Sequence, residues 1–285
     1  MRAAQPTKES PVSHPIPHTA GSDIDIRQDG GVQVVRFQRA DKKNAFSRPM
    51  YAAMVAALDH ADQSGDVAVT VFFGAPGAFS AGNDMGDFVA RAKGHIEADK
   101  PGSVSAAALI RKLPKTTKPL IAAVDGLAVG VGVTMLLHCD LVYASPNATF
   151  STPFVNLGLT PEAASSLIGP QRLSYVRAFE LLVLGEKWSA EQAFQAGLVN
   201  AVVPSADLEA RAMKAAKALA AKPRAALIES RRLVKGDQSA IVAMMEQEGK
   251  AYERLLPSPE AREAFTAFLE KRPPDFAKAR AAAKK

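Results

Sequence analysis

The chain carries two glycine-containing stretches, Phe79-Ser-Ala-Gly-Asn-Asp84 and Gly126-Leu-Ala-Val-Gly-Val-Gly132. Each follows a continuous apolar run, at residues 67–73 and 120–124, of the kind that forms strands buried on both faces. Small residues after a strand let a ligand approach the backbone, so that main-chain N–H groups can donate hydrogen bonds to it. Each stretch alone is more typical of an ordinary turn, and the interpretation rests on their combination.

Strand and helix patterns alternate in the first half of the chain, whereas the last third is almost entirely helical in pattern. Residues 24–27 and 32–37 flank Asp29-Gly30-Gly31, which predicts a hairpin. The glycine-rich segments at 74–86 and 126–132 are interpreted as loops. The sequence therefore predicts an α/β core followed by a helical C-terminal region.

Further elements are predicted in the second half of the chain. The predicted strands lie at residues 141–144 and 148–151, and the predicted helices lie at residues 189–196, 207–221, 223–235, 239–256 and 258–270. In domain terms, we expect a disordered N-terminal tail at 1–21, a core at 22–204 and the helical region at 205–285.

Composition restricts the class of protein. The net charge of +6 and the pI of about 9.4 favour an anionic partner, but no basic helix with interleaved aromatics predicts nucleic acid binding. A phosphorylated small molecule is the simpler partner. No apolar run reaches the roughly 18 residues that would predict a membrane span. Cys139 is the single cysteine, which fits a reducing compartment and a cytoplasmic location.

The order and spacing of several motifs resemble those of the crotonase (enoyl-CoA hydratase/isomerase) superfamily. They are the two glycine stretches, Lys118-Pro-Leu-Ile-Ala-Ala-Val-Asp-Gly126, Cys139-Asp140, Ala196-Gly-Leu-Val199 and Phe268-Leu-Glu-Lys-Arg272. The resemblance extends from residue 24 to residue 276. It implies a spiral of ββα turns with a helical trimerisation region, and hence a homotrimer or a dimer of trimers.

The resemblance also implies the ligand and its binding residues. The substrate would be an acyl-CoA thioester, whose carbonyl oxygen accepts hydrogen bonds from the N–H groups of Asn83 and Val131. Coenzyme A is then part of the substrate, and no separate cofactor or metal is expected. Phe268 and Lys271 match residues that reach the adenine and phosphates across a subunit boundary. The predicted ligand-binding residues are Ser80, Ala81, Gly82, Asp84, Phe268 and Lys271.

The sequence departs from the hydratases of this superfamily at two positions. Those enzymes carry a glutamate just after the second glycine stretch and another in a Pro-Glu pair. The matching residues here are Thr134 and Phe154, the latter following Pro153. Hydration requires a base that deprotonates water and an acid that delivers a proton to the neighbouring carbon. Because neither position holds a carboxylate, the sequence argues against hydratase activity.

A different carboxylate, Glu162, lies in Leu159-Thr-Pro-Glu-Ala-Ala-Ser-Ser166. This segment resembles the one that holds the single catalytic glutamate of peroxisomal-type Δ3,Δ2-enoyl-CoA isomerases of fatty-acid β-oxidation. One carboxylate is sufficient to move a proton from C2 to C4 of a 3-enoyl thioester. Neighbouring apolar residues should raise the pKa of Glu162 toward the working range of such a base. The alternative is that Glu162 only serves a helix start, with Thr160 as N-cap and Pro161 at N1.

Two further functions stay open at this point. Another reaction of the same superfamily, such as hydration, could use Asp87 and Glu97 near the first loop. A non-catalytic protein that binds CoA esters or nucleic acid is the second alternative. His138 and Cys139 are neighbours in a helical pattern, so their side chains point about 100° apart, and we expect core roles for both.

Overall fold

The computed structural model describes residues 23–84, 86 and 105–282. The predicted N-terminal tail, Asp87 and Glu97 lie outside these residues. Within the described residues, the strands in chain order are β1 (Ile24–Asp29), β2 (Val32–Phe37), β3 (Val69–Phe73), β4 (Ala78–Ser80), β5 (Leu120–Val124), β6 (Leu127–Val129), β7 (Leu141–Ala144), β8 (Thr149–Ser151), β9 (Trp188–Ser189) and β10 (Ala201–Val202).

Helices fill the segments between the strands and the C-terminal region. The α-helices are α1 (Arg48–Gln63), α2 (Ala106–Lys112), α3 (Val131–Thr134), α4 (Ser165–Leu173), α5 (Tyr175–Phe179), α6 (Ala190–Gln195), α7 (Ser205–Ala220), α8 (Arg224–Lys235), α9 (Ser239–Leu255), α10 (Pro259–Leu269) and α11 (Phe276–Ala282). A π-helical turn, Glu180–Leu184, follows α5, and short 3-10 helices lie at Ala40–Lys42, Leu113–Lys115, Met135–His138 and Val155–Leu157.

The strands form two sheets that the chain visits in turn. The larger sheet has the order β1-β2-β3-β5-β7-β10 and the smaller sheet has the order β4-β6-β8-β9. The chain enters the larger sheet at β3, β5 and β7, and it passes each time to the smaller sheet, at β4, β6 and β8. A helical segment follows each such pair before the next turn begins. This arrangement confirms the predicted spiral of ββα turns with a helical C-terminal region.

The period of two along the central strands explains why the larger sheet is buried on both faces. In β5, Leu120 and Ala122 face the main core, whereas Ile121 and Ala123 face helix α7. Each buried aliphatic side chain of this kind contributes roughly 1.5–3 kcal/mol to stability. The continuous apolar runs of the sequence therefore correspond to strands covered from both sides, as predicted.

The hairpin of β1 and β2 is confirmed, with antiparallel pairing from Ile24–Phe37 to Asp29–Val32. The five predicted C-terminal helices are also confirmed, with ends that differ by no more than two residues. The interpretation of residues 74–86 and 126–132 as loops is wrong in part, because each contains a three-residue strand of the smaller sheet, β4 or β6. Such short strands, rich in small residues, carry no alternating pattern by which they could be recognised.

The parallel pairing of β4 with β6 brings the two glycine stretches together, because the carboxyl ends of parallel strands leave a sheet at the same edge. A Cβ atom on Gly82 would lie 2.9 Å from the carbonyl oxygen of Val129. A Cβ atom on Gly132 would lie 3.0 Å from the Cβ atom of Ser80. The absence of side chains at both glycines thus permits a close backbone contact between the two stretches. None of the helices in the described part of the chain is long and apolar enough to cross a membrane.

We predict that Gly82→Ala destabilises the protein by about 1–3 kcal/mol, because Gly82 has a φ of +88° and lies against Val129. Gly30→Ala is the matched control, since Gly30 also has a positive φ, +59°, but no atom lies within 4 Å of its added Cβ. Urea unfolding of both variants measures the difference. Equal losses of stability would contradict the contact described here.

Candidate active site

The first glycine stretch is fixed by backbone hydrogen bonds to Phe46. The amide of Phe46 donates to the carbonyl of Gly82 (2.7 Å), and the amide of Asp84 donates to the carbonyl of Phe46 (3.1 Å). In such a parallel bridge, the intervening residue directs its own amide to the other side. Among the described residues, the N–H of Asn83 accordingly donates to no acceptor.

An aromatic cluster of Phe37, Phe46 and Phe79 anchors this stretch in the core. The ring of Phe37 lies edge-on to Phe46, with centroids 4.8 Å apart, and to Phe79, with centroids 5.5 Å apart. All three rings are buried. Each pair of this geometry contributes about 0.5–1.5 kcal/mol beyond the burial of its area, so the position of Asn83 is coupled to the hydrophobic interior.

The second glycine stretch ends in a turn that leads into α3. The amide of Gly130 donates to the carbonyl of Ser151 (2.9 Å), and the carbonyl of Gly130 accepts from the amides of Val133 and Thr134. Val131 is the first helical residue, so its N–H lacks an intrahelical acceptor. Within the described residues it donates to no other group either. Two unengaged amides, those of Asn83 and Val131, therefore follow two neighbouring parallel strands.

The residues before Asn83, Ser80 to Gly82, stabilise the conformation of the loop through hydrogen bonds. Ser80 is completely buried, and its hydroxyl donates to the carbonyl of Asn44 (2.9 Å) and accepts from the amide of Gly82 (3.1 Å). The amide of Ala81 donates to the carbonyl of Lys43. Ser80, Ala81 and Gly82 are not among the lining residues of the cavity described below, and their contact with a ligand stays a prediction.

A cavity of about 530 Å³ opens beside Asn83, within the size range of small-molecule sites. Its wall is built by α1, the first loop, α2, the segment around Glu162, and α9. The lining residues that matter for chemistry are Arg48, Tyr51, Asn83, Asp84, Arg111, Lys115, Glu162, Met245, Glu246, Glu248, Lys250 and Glu253. The cavity thus brings the predicted residues Asn83, Asp84 and Glu162 together.

Two polar contacts orient the first loop at the cavity wall. The hydroxyl of Tyr51 donates to Oδ1 of Asn83. Asp84 accepts from Arg39 through Oδ2 (2.6 Å) and from the amide of Gly86 through Oδ1 (2.8 Å). Asp84 therefore helps to hold its own loop, and Arg39 offsets part of the negative charge that this residue adds to the cavity.

Glu162 lies before α4, in an irregular segment. The predicted helix start at Thr160 and Pro161 is wrong, because α4 begins only at Ser165. The reason is that Ala163 and Ala164 both adopt left-handed backbone conformations, with φ values of 62° and 54°. Each such residue costs about 1–2 kcal/mol, which the surrounding contacts must offset. The turn directs the carboxylate of Glu162 to the cavity wall instead of along a helix surface.

The carboxylate of Glu162 has an unusual environment. Its Oε1 atom is buried and accepts no hydrogen bond from any described residue, although the residue as a whole is partly accessible from the cavity. Burial, and to a smaller extent the charge of the nearby Glu248, raises the pKa of Glu162 to about 7. A carboxyl group in this range is suited to accept and return a proton near neutral pH.

Glu248, on α9, was not found by sequence reasoning. It is buried, and it accepts hydrogen bonds from the amide of Ala164 (2.6 Å), the amide of Ser166 (3.0 Å) and the hydroxyl of Ser166 (2.5 Å). Burial raises the pKa of Glu248, while these donors oppose the rise. A polar residue on the inward face of α9, among Met245 and Tyr252, was the signal in the sequence, but its partners lie 82 or more residues away.

His138 and Cys139 have core roles, as expected. Nε2 of His138 contacts the carbonyl oxygen of Ala163 (2.8 Å), and burial lowers the pKa of His138 to about 4, so the ring is neutral and donates this hydrogen bond. Burial raises the pKa of the Cys139 thiol to about 12, so that it carries no thiolate at neutral pH. Thr134 and Phe154, at the positions of the hydratase glutamates, are buried and do not belong to the cavity wall of the described chain.

Phe268 and Lys271 lie away from this cavity. Phe268 is 56% exposed at the end of α10, and Lys271 follows it in a left-handed conformation (φ 54°). Neither lines the cavity that the described residues of the same chain form. Within residues 23–84, 86 and 105–282, no group of three or more histidine, cysteine, aspartate or glutamate side chains is arranged to hold a metal ion.

The chain belongs to the enoyl-CoA hydratase/isomerase family, whose sequence profile matches residues 27–279. A solved enoyl-CoA hydratase/isomerase from Pseudoalteromonas atlantica T6c superposes with a TM-score of 0.84 and 34% identity, covering 90% of this chain and all of that one. The spiral of ββα turns is thus the fold of this family, also called the crotonase fold.

Named relatives of the family differ in their reactions. The chain is 34% identical to "Enoyl-CoA delta isomerase 2" of Rattus norvegicus over 249 residues, which is 87% of this chain and 63% of that protein. It therefore spans less than two thirds of the length of this relative. It is 30% identical to "2,3-dehydroadipyl-CoA hydratase" of Escherichia coli over 256 residues, 90% of this chain and 98% of that protein. Identity at this level assigns the family and leaves the reaction to the residues of the site.

We predict that Glu162→Gln stabilises the protein at pH 8 and loses this advantage below about pH 4.5. A pKa that rises from 4.5 in the unfolded chain to about 7 in the folded state makes ionised Glu162 unfavourable by roughly 3 kcal/mol above pH 7. The protonated form is free of this cost, so wild-type stability falls as pH rises from 4.5 to 7. Urea unfolding of both proteins across this pH range measures the free energy of unfolding at each pH. An equal pH dependence in the two proteins would show that Glu162 is not desolvated.

Proposed function

We propose that the protein is a Δ3,Δ2-enoyl-CoA isomerase with Glu162 as its single acid/base. The observation that supports this proposal most directly is that the buried Oε1 atom of Glu162 has no hydrogen-bond partner in the described structure. Glu162 also lines the same cavity as Asn83. A carboxylate without donors is free to take a proton from carbon. Its pKa of about 7 matches a group that must both accept and return that proton.

The reaction follows from this arrangement. The thioester carbonyl oxygen of a 3-enoyl-CoA accepts hydrogen bonds from the amides of Asn83 and Val131, which makes the C2 proton acidic. Glu162 removes the proton from C2, and the electron pair moves into a dienolate whose negative charge lies on the held oxygen. Protonated Glu162 then delivers the same proton to C4, which gives the 2-enoyl-CoA and regenerates the carboxylate. No water or second acid takes part.

Hydration has less support from the residues of the site. Thr134 and Phe154 replace both hydratase glutamates. Glu248 is the second buried carboxylate near the cavity, but both of its oxygens already accept hydrogen bonds from Ala164 and Ser166. It would have to break these bonds to position a water molecule. Asp87 and Glu97, the alternative carboxylates of the sequence, lie outside the described residues.

The oligomeric state and the setting are part of the proposal. Phe268 and Lys271 are exposed and do not line the cavity of their own chain, which supports a trimer or a dimer of trimers in which they reach the CoA moiety of a neighbouring subunit. Coenzyme A enters as part of the substrate, with no further cofactor. A place in fatty-acid β-oxidation and a cytoplasmic location stay predictions.

We predict that Glu162→Gln lowers kcat on a 3-enoyl-CoA by about 10²–10⁴-fold, because the amide cannot take up the C2 proton. The affinity for the CoA ester should be retained, since the amide has the shape of the carboxylate. Absorbance of the conjugated 2-enoyl product measures turnover, and calorimetric titration with a saturated acyl-CoA measures binding.

The control is Glu186→Gln, which changes an exposed glutamate outside the cavity and should behave as wild type. A parallel assay starts from 2-enoyl-CoA, whose conjugated absorbance should persist because no water is added. Full turnover by Glu162→Gln would refute the assignment of the base. A rapid loss of the 2-enoyl absorbance would instead identify a hydratase.

A further inference from the structure

The turn that carries Glu162 is held from two sides by buried groups. On one side, the imidazole of His138 donates to the carbonyl of Ala163 (2.8 Å). On the other side, the carboxylate of Glu248 accepts from the amide of Ala164 (2.6 Å). Both contacts are made by the peptide group that joins Ala163 to Ala164, and these two alanines have left-handed backbones, a conformation that residues with a side chain rarely adopt without support. The position of Glu162 thus depends on two residues distant in sequence, His138 and Glu248.

Glu248 accepts three hydrogen bonds from this turn and the start of α4. Its Oε2 accepts from Ala164, and its Oε1 accepts from the amide (3.0 Å) and the hydroxyl (2.5 Å) of Ser166. Ala164 is the N-cap of α4 and Ser166 is its second residue, so these are amides that a helix start leaves without acceptors. In most helices a local side chain supplies the cap, whereas here the cap comes from α9, 82 to 84 residues away.

We propose that Glu248 is the positioning residue of the site: its carboxylate fixes the left-handed Ala163–Ala164 turn from the C-terminal helix and so directs Glu162 into the cavity. This inference rests on the proposed role of Glu162 as the acid/base. Glu248 touches neither the thioester nor the reacting carbons in this scheme. It acts through the backbone that links Ala164 to Glu162.

The charge of Glu248 adds an electrostatic consequence. Glu248 accepts three hydrogen bonds and Glu162 accepts none from the described chain, so the ionised form is favoured on Glu248 and the proton on Glu162. After burial, the charge of Glu248 is the further cause that raises the pKa of Glu162. His138 contributes no charge, because burial keeps it neutral. The other charged groups on the cavity wall are Arg48 on α1, Asp84 on the first loop, Arg111 on α2, Lys115 on the following turn, and Glu246, Lys250 and Glu253 on α9.

Two substitutions change the charge and the geometry to different extents. Glu248→Gln keeps the length of the side chain and removes its charge, but its NH2 group donates, so only one of the two accepting oxygens remains. Glu248→Asp keeps the charge but is one methylene too short to reach both Ala164 and Ser166. The pH dependence of kcat/KM on a 3-enoyl-CoA reports the pKa of the base in the free enzyme. Glu162 acts when it is deprotonated, so activity is lost as pH falls through that pKa.

In Glu248→Gln, we expect the acid limb of the profile to shift to lower pH by about one unit, because a neighbouring negative charge has been removed. In Glu248→Asp, the acid limb should stay near that of the wild type while kcat falls by up to about 100-fold, because Glu162 is no longer held in place. KM should change little in either variant. Glu186→Gln is the control for loss of a carboxylate elsewhere.

A second readout needs no turnover. The carboxyl carbon of Glu162 can be titrated by ¹³C NMR in protein labelled at glutamate, with its signal assigned from its absence in Glu162→Gln. We expect this signal to titrate at lower pH in Glu248→Gln than in the wild type. Unchanged titration in Glu248→Gln, or a wild-type kcat in Glu248→Asp, would overturn the inference. If Glu162→Gln is fully active, the proposed function fails instead, and the titration still tests the coupling between the two glutamates.

Discussion

The site depends on a backbone contact so close that no side chain fits into it: the carbonyl oxygen of Val129 lies against Gly82. Two parallel strands of only three residues, β4 and β6, end at this point. Because the chain turns shortly after each strand, the amides of Asn83 and Val131 are left without acceptors in the described chain. The proposed binding of the thioester oxygen would therefore be a property of the main chain, and side chains would act mainly by allowing the close approach of the two stretches.

Against this fixed pair of amides, the two buried glutamates have opposite environments. The hydrogen bonds that Glu248 accepts oppose the rise of its pKa on burial, whereas Glu162 has no described donor to oppose the rise of its own pKa. The same chemical group thus has two roles because its neighbours differ. The costs of the arrangement are a desolvated carboxyl and two strained alanines, and the apolar core on both faces of the larger sheet offsets them.

Sequence reasoning predicted the strands and helices with strong periodicity, such as the hairpin of β1 and β2 and the five C-terminal helices. It also named Asn83, Asp84 and Glu162, which the fold brings to one cavity. In the smaller sheet it predicted β8 but neither β4 nor β6, because strands such as Ala78–Ser80 are too short to show a period. The alternative that it kept for Glu162, a helix start at Thr160 and Pro161, is wrong, because the left-handed alanines that precede α4 are supported by contacts from elsewhere in the fold.

Glu248 illustrates the remaining limit, since its partners Ala164 and Ser166 are distant in sequence and two of the three hydrogen bonds go to main-chain amides. A main-chain donor carries no residue-specific signal, so no local pattern reveals such a cap. Ser80 has a structural role that its motif did not indicate. Its hydroxyl joins two backbone segments, because it donates to the carbonyl of Asn44 and accepts from the amide of Gly82.

The packing of Phe37, Phe46 and Phe79 has a consequence for how damage to this protein would appear. These rings belong to the interior, yet the backbone of Phe46 also sets the direction of the Asn83 amide. Loosening the interior by a small amount would therefore misalign the Asn83 amide, which the proposed reaction uses, while the molecule remained folded. A defect that begins as a matter of hydrophobic packing would first be noticed in the laboratory as slow chemistry, ahead of any visible loss of structure.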